Sequence, residues 1–64
     1  MINLTKKDKR ILKYIANGKS STFIGEKMGY SPLYIDQCVM TISKAFNASN
    51  RAQLMYVLAK EGVI

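Results

Sequence analysis

An all-α fold, a bundle of four short helices with a helix-turn-helix at its centre, is what this 64-residue sequence predicts. Three observations carry that prediction. Capping residues and glycines punctuate the chain at short intervals from end to end. Between them, apolar residues recur at helical spacing, with no strand-like alternation competing. Finally, Gly29-Tyr30-Ser31-Pro32 separates a short helical segment from a longer one, which is the arrangement of a helix-turn-helix.

Each element has its own start and stop signals. Thr5 followed by Asp8 resembles a capping box, with Asp in the usual Glu place. The first helix runs from there to about Asn17 and stops at Gly18, a residue that tolerates positive φ. Its Ile11, Leu12 and Ile15 fall on one face. Ser20 or Ser21 caps the second helix, which is read around Phe23 to Met28 and ends at Gly29. Ser31 caps the third, with Pro32 at the first helical position, where its missing N–H costs nothing. That helix spans about Ser31 to Phe46, with Asn47 as its stop. Ser49 or Asn50 caps the fourth, Gln53 lies three residues after Asn50, and Gly62 ends it. Helices this short do not hold alone in water, so packing must hold them. The expected core is Leu4, Ile11, Leu12, Ile15, Ile24, Met28, Ile35, Val39, Ile42, Phe46, Leu54, Val57 and Leu58.

Composition narrows the function classes. A chain of this length forms one domain, residues 1–64, with a modest core and no extended cleft. Hydrophobic residues make up 48%, too many for disorder. The net charge of +6 points to a polyanion partner, nucleic acid first, although solubility alone makes many small domains basic. Lys6, Lys7, Lys9, Arg10 and Lys13 place five cations in eight positions of the first helix, part of them a solvated face. Without histidine there is no zinc constellation, and no metal or cofactor site is expected. The acidic residues Asp8, Glu26, Asp36 and Glu61 make no acid/base pair, so an enzyme is not expected. Cys38, the single cysteine, falls near the core side of the third helix and reads as an inert thiol. No apolar run approaches the roughly 18 residues of a membrane span, and a cytoplasmic location is the expectation.

The third helix shows its chemistry outward. With Ile35 inward and about 100° per residue, Val39, Ile42 and Phe46 stay inward. Leu33, Gln37, Met40 and Lys44 point out, flanked by Tyr34, Asp36 and Thr41. In a helix-turn-helix such a face reads bases in the major groove of double-stranded DNA. Gln37 suits an adenine edge, Met40 and Leu33 suit thymine methyls, and Thr41 suits base or phosphate. Lys44 suits a phosphate. Plain solvent exposure is nearly as good an account of Gln37 and Thr41. Asp36 opposes the DNA reading by its charge, and Leu33, Tyr34 and Met40 form an apolar strip of the kind that marks protein interfaces.

Leu4-Thr5, Ile11-Leu12 and Ile15-Ala16-Asn17-Gly18-Lys19-Ser20 resemble the opening of the LuxR-type (GerE-like) DNA-binding domain. Ile24, Gly29-Tyr30-Ser31, Ile35 and Ile42 continue the pattern, and Asn50-Arg51-Ala52-Gln53-Leu54 with Gly62-Val63-Ile64 resemble its last helix and terminus. The resemblance covers essentially the whole chain. It implies a bacterial transcriptional regulator with a four-helix domain, dimeric on DNA through its fourth helix. Met55, Tyr56 and Ala59 are then the dimer-face residues, with burial against the chain's own core as the competing account. If the chain reads DNA, Lys7, Arg10, Lys44 and Arg51 are the expected phosphate contacts and Leu33, Tyr34, Gln37, Met40 and Thr41 the expected base contacts. The chain departs from the family's usual residues at Tyr34-Ile35 (Thr-Val), Asp36 (Lys), Cys38 (His), Ala45 (Lys) and Phe23 (Glu). Lys7-Asp8 keeps the charges of the family's Arg-Glu pair. Family members usually carry an upstream receiver or ligand-binding domain. Here Met1 directly precedes the domain, which fits a stand-alone regulator and an excised fragment alike. No small-molecule ligand is evident.

The expected function is therefore a sequence-specific DNA-binding regulator. The alternative is a small interaction module that binds or antagonises another regulator. Asp36 and Ala45 favour the alternative, and the +6 charge opposes it.

Overall fold

The computed structural model describes residues 4–63. They form four helices, α1 (Lys6–Ala16), α2 (Ser21–Met28), α3 (Pro32–Ala45) and α4 (Arg51–Lys60), with no strand among the described residues. The resemblance seen at Ile64 lies outside them.

Side-chain caps set every helix start. The Thr5 hydroxyl accepts from the Asp8 N–H at 3.1 Å, and the Asp8 carboxylate accepts from the Thr5 N–H at 3.1 Å, a reciprocal box. Ser20 caps α2 by accepting from the Phe23 N–H at 3.2 Å, so α2 starts at Ser21, earlier than Phe23. Ser31 caps α3 through the Tyr34 N–H at 3.1 Å, with Pro32 at its start. Asn50 caps α4 through the Gln53 N–H at 2.8 Å. The Gln53 side chain accepts from the Ser49 N–H, one residue before the cap, so the reciprocal pair of a strict box does not close.

The helix ends repeat one device. The N–H of Lys19, Ala48 and Val63 each returns to a carbonyl five residues back, those of Tyr14, Ser43 and Leu58, at 3.0, 2.8 and 2.8 Å. This is the Schellman closure, which needs a left-handed residue inside it. After α3 that residue is Asn47, with φ 60°. Asn is the side chain that tolerates this conformation best.

All four helices supply the core. Ile11, Leu12, Ile24, Ile35, Leu54 and Leu58 are fully buried, and Ile15, Val39 and Ile42 nearly so. Burying each such side chain contributes about 1.5–3 kcal/mol. Leu4, Met28, Phe46 and Val57 were expected among them but are only half-buried. The first three lie at helix ends, where fewer elements cover a side chain. Val57 lines an open groove with Leu4, Phe46 and Val63. Conversely Tyr14, Tyr34, Ala48 and Val63 pack on the core beyond the expectation, and Cys38 and Met55 pack on it too, as their core-side accounts have it.

The backbone of α3 lies closest to α2 and then to α1, whereas α4 approaches the others less closely. The α2–α3 proximity depends on Gly25, buried inside α2. A Cβ there would stand 2.3 Å from the Tyr30 carbonyl oxygen. The Gly25 carbonyl accepts from both the Gly29 and Tyr30 N–H groups at 2.8 Å, and Gly29 turns the chain with φ 80°.

Candidate nucleic-acid interface

The fold leaves one long helical face open. On α3, Ile35, Val39 and Ile42 are buried, which turns Leu33, Gln37, Met40 and Lys44 outward as the 100° arithmetic requires. Leu33 is 67% and Met40 57% exposed, high values for apolar side chains of this size. Gln37, Thr41 and Lys44 are exposed beside them.

A tie to a neighbouring helix bounds this face on each side. Toward α1, the Lys7 ammonium donates to the Tyr34 hydroxyl at 2.6 Å and lies 5.1 Å from the Tyr34 ring centroid and 5.8 Å from that of Tyr30. The Tyr30 and Tyr34 ring centroids lie 4.8 Å apart with the rings tilted by 36°. The hydrogen bond donated to the Tyr34 hydroxyl raises the Lys7 pKa above the ordinary lysine value, with desolvation opposing it. Toward α2, the Ser21 hydroxyl donates to the Asp36 carboxylate.

The expected site residues thus divide by placement. Leu33, Gln37, Met40 and Thr41 stand on one open surface. Thr41 donates its hydroxyl proton to the Gln37 carbonyl at 3.0 Å, so its free capacity is as an acceptor and through its methyl group. Tyr34 is half-buried and directed at Lys7, a flank of the face rather than its centre. Lys44 and Arg51 line one groove with Asp36, Met40 and Asn50, where α3 meets the start of α4. Arg10 lies elsewhere, in a shallow pocket with Lys13, Tyr14 and Asn17. On α4, Tyr56 is 67% exposed and Ala59 is exposed, while Met55 packs partly on the core.

Two side-chain ties and one aromatic cluster escape sequence reasoning. The Ser21–Asp36 and Lys7–Tyr34 ties join residues 15 and 27 apart, and no local pattern announces them. Gly25 did carry a signal, since glycine in a helix interior costs about 1 kcal/mol against alanine and so needs a reason. The cluster is Phe23, with the Lys19 and Lys27 ammoniums 5.0 and 5.4 Å from its ring centroid and the Tyr14 ring edge-on to it.

Chemically, the α3 face offers a fork of amide donor and acceptor, apolar contact, and cations at its far end. It lacks any grouping of three or more His, Cys, Asp or Glu side chains able to hold a metal, among the described residues. No helix among them is long and apolar enough to cross a membrane. The family model GerE, described as bacterial regulatory proteins of the luxR family, matches residues 2–58. No curated protein matches the chain.

Proposed function

The chain belongs to the luxR family of bacterial regulatory proteins, a family of DNA-binding regulatory domains, and on that premise we propose that it is a sequence-specific transcriptional regulator that inserts α3 into the major groove. The observation that supports this most is the open α3 face, bounded by one tie to α1 and one to α2. Gln37 forks onto an adenine edge, Leu33 and Met40 cover thymine methyls, and Thr41 accepts from a base amino group. Tyr34 meets the duplex at the rim of the face and holds Lys7 there. Lys44 and Arg51 take phosphates on the α4 side, Lys7 and Arg10 on the α1 side. Two copies pair through the exposed side of α4, with Tyr56 and Ala59 central and Met55 at the edge. The protein works in the cytoplasm on chromosomal DNA without a cofactor.

Two substitutions separate the roles. Gln37→Ala costs about 1–3 kcal/mol at one base pair and relaxes selection there. Lys44→Ala weakens all duplexes alike and lowers the salt slope by about 1. Equal loss on every sequence from Gln37→Ala contradicts its base-reading role.

A second reading rests on the exposure of Leu33 and Met40, an apolar strip suited to a protein partner. Salt discriminates the two: a phosphate-binding domain loses duplex affinity steeply as salt rises, and a partner-binding module does not bind duplex with such a slope.

A further inference from the structure

Asp36 stands at the edge of the α3 face with a charge that opposes a polyanion. A carboxylate so placed weakens every duplex unless it meets a donor. The Ser21 hydroxyl, at the first position of α2, donates to one carboxylate oxygen and holds the side chain against α2. The carboxylate keeps acceptor capacity, because an ionised Asp accepts through both oxygens. Along α3, Leu33 lies three residues before Asp36 and Met40 four after, the spacings at which helical side chains are neighbours. Asp36 also lines the groove that holds Met40, Lys44 and Arg51.

We propose that Asp36 is a specificity-determining residue that accepts a hydrogen bond from the N4 amino group of a cytosine in the major groove, with Ser21 as its positioning residue. This rests on the DNA-reading function above. The base edges decide the choice. Cytosine presents a donor alone. Adenine presents a donor beside the N7 acceptor, and guanine and thymine direct acceptors into the groove. An acceptor-only carboxylate therefore gains at cytosine and is repelled by the lone pairs of guanine and thymine. The same charge repels phosphates, so duplexes that lack the cytosine bind more weakly. Discrimination rises on both counts, part of it through a repulsive element.

The test is selection from a random duplex library at near-physiological salt with three proteins: wild type, Asp36→Asn and Ser21→Ala. Affinity for a mixed-sequence duplex is measured beside it. The wild type enriches a motif with a C·G pair at one position. Asp36→Asn keeps the rest of the motif and loses about ten-fold or more of the cytosine preference. Asn, which can pair with an adenine edge, moves that position toward A. With the charge gone, Asp36→Asn also binds the mixed-sequence duplex more tightly than wild type. Ser21→Ala leaves the charge in place, so the mixed-sequence affinity stays at the wild-type level while the cytosine preference falls in part. A tie that only braces α2 against α3 would instead lower the melting temperature and leave the motif unchanged. An unchanged cytosine in the Asp36→Asn motif overturns this inference and leaves the DNA-reading function standing. A wild type that enriches no motif overturns both.

Discussion

The α2–turn–α3 unit and α4 are attached to the same core by different means. In the first, backbone meets backbone: Gly25 lies against the Tyr30 carbonyl, Gly29 makes the left-handed turn, and Ser31 caps the next helix at once. Two side-chain ties then join α3 to α1 and α2. In the second, the attachment is by side chain, through the fully buried Leu54 and Leu58 with Met55 and Val63 beside them. A surface that must match the geometry of a base-pair edge needs a rigid support, and the α2–α3 contact supplies one. α4, held by side chains, keeps Tyr56 and Ala59 exposed.

The largest effect should come from the α4 anchor. Leu54→Ala leaves a cavity in the core and costs about 3 kcal/mol, measured by urea unfolding. If α4 is a separately attached element, hydrogen exchange in this variant shows α4 amides losing protection first while those of α2 and α3 persist. Simultaneous loss across all four helices would erase the distinction between the regions.

Gly25→Ala attacks the other attachment. Its methyl carbon would meet the Tyr30 carbonyl oxygen at 2.3 Å, so α2 and the turn must part. Overpacking of this kind typically costs 1–3 kcal/mol, and about 2 kcal/mol is expected after the gain in helix propensity. The displaced turn carries α3 with it, so duplex affinity falls together with the melting temperature. A stable variant with wild-type melting would mean that the close approach is not what sets the α2–α3 geometry.

Most of the fold is legible in the sequence. Thr5 and Ser31 mark helix starts because a side-chain oxygen is needed where backbone N–H groups lack partners, and that need is local. The outward face of α3 followed from the periodicity of Ile35, Val39 and Ile42. Ser20 against Ser21, two identical residues, and Ser49 against Asn50, both good caps, are decided only by the backbone conformation at Ser20 and Asn50. The ties from Ser21 and Lys7 were illegible for a different reason: they depend on how helices are set against one another. Asp36 shows the consequence. Read alone, it is a charge on the wrong face. Placed beside Ser21, it is a held acceptor.

The smallest effect is electrostatic. The Lys7 pKa is raised, so its proton is held more tightly in the folded than in the unfolded chain. The resulting stabilisation is complete below the ordinary lysine value of 10.5 and is lost as pH rises through the folded value. Tyr34→Phe removes the hydrogen bond that is the main cause, and an NMR titration of the Lys7 side chain should show its midpoint move down. An unmoved midpoint would mean that the aromatic rings, not the hydroxyl, hold the ammonium.

The central claim is that the α2–turn–α3 unit reads the bases, while α4 meets the duplex only through Arg51 at its start. The most direct measurement is amide chemical-shift mapping while the enriched duplex is titrated into the labelled protein. Shifts are expected at Leu33, Asp36, Gln37, Met40, Thr41 and Lys44, with Arg51 at the start of α4. Changes at Tyr56 and Ala59 should appear only as two copies assemble. Shifts centred on the exposed side of α4, with α3 unmoved, would contradict it.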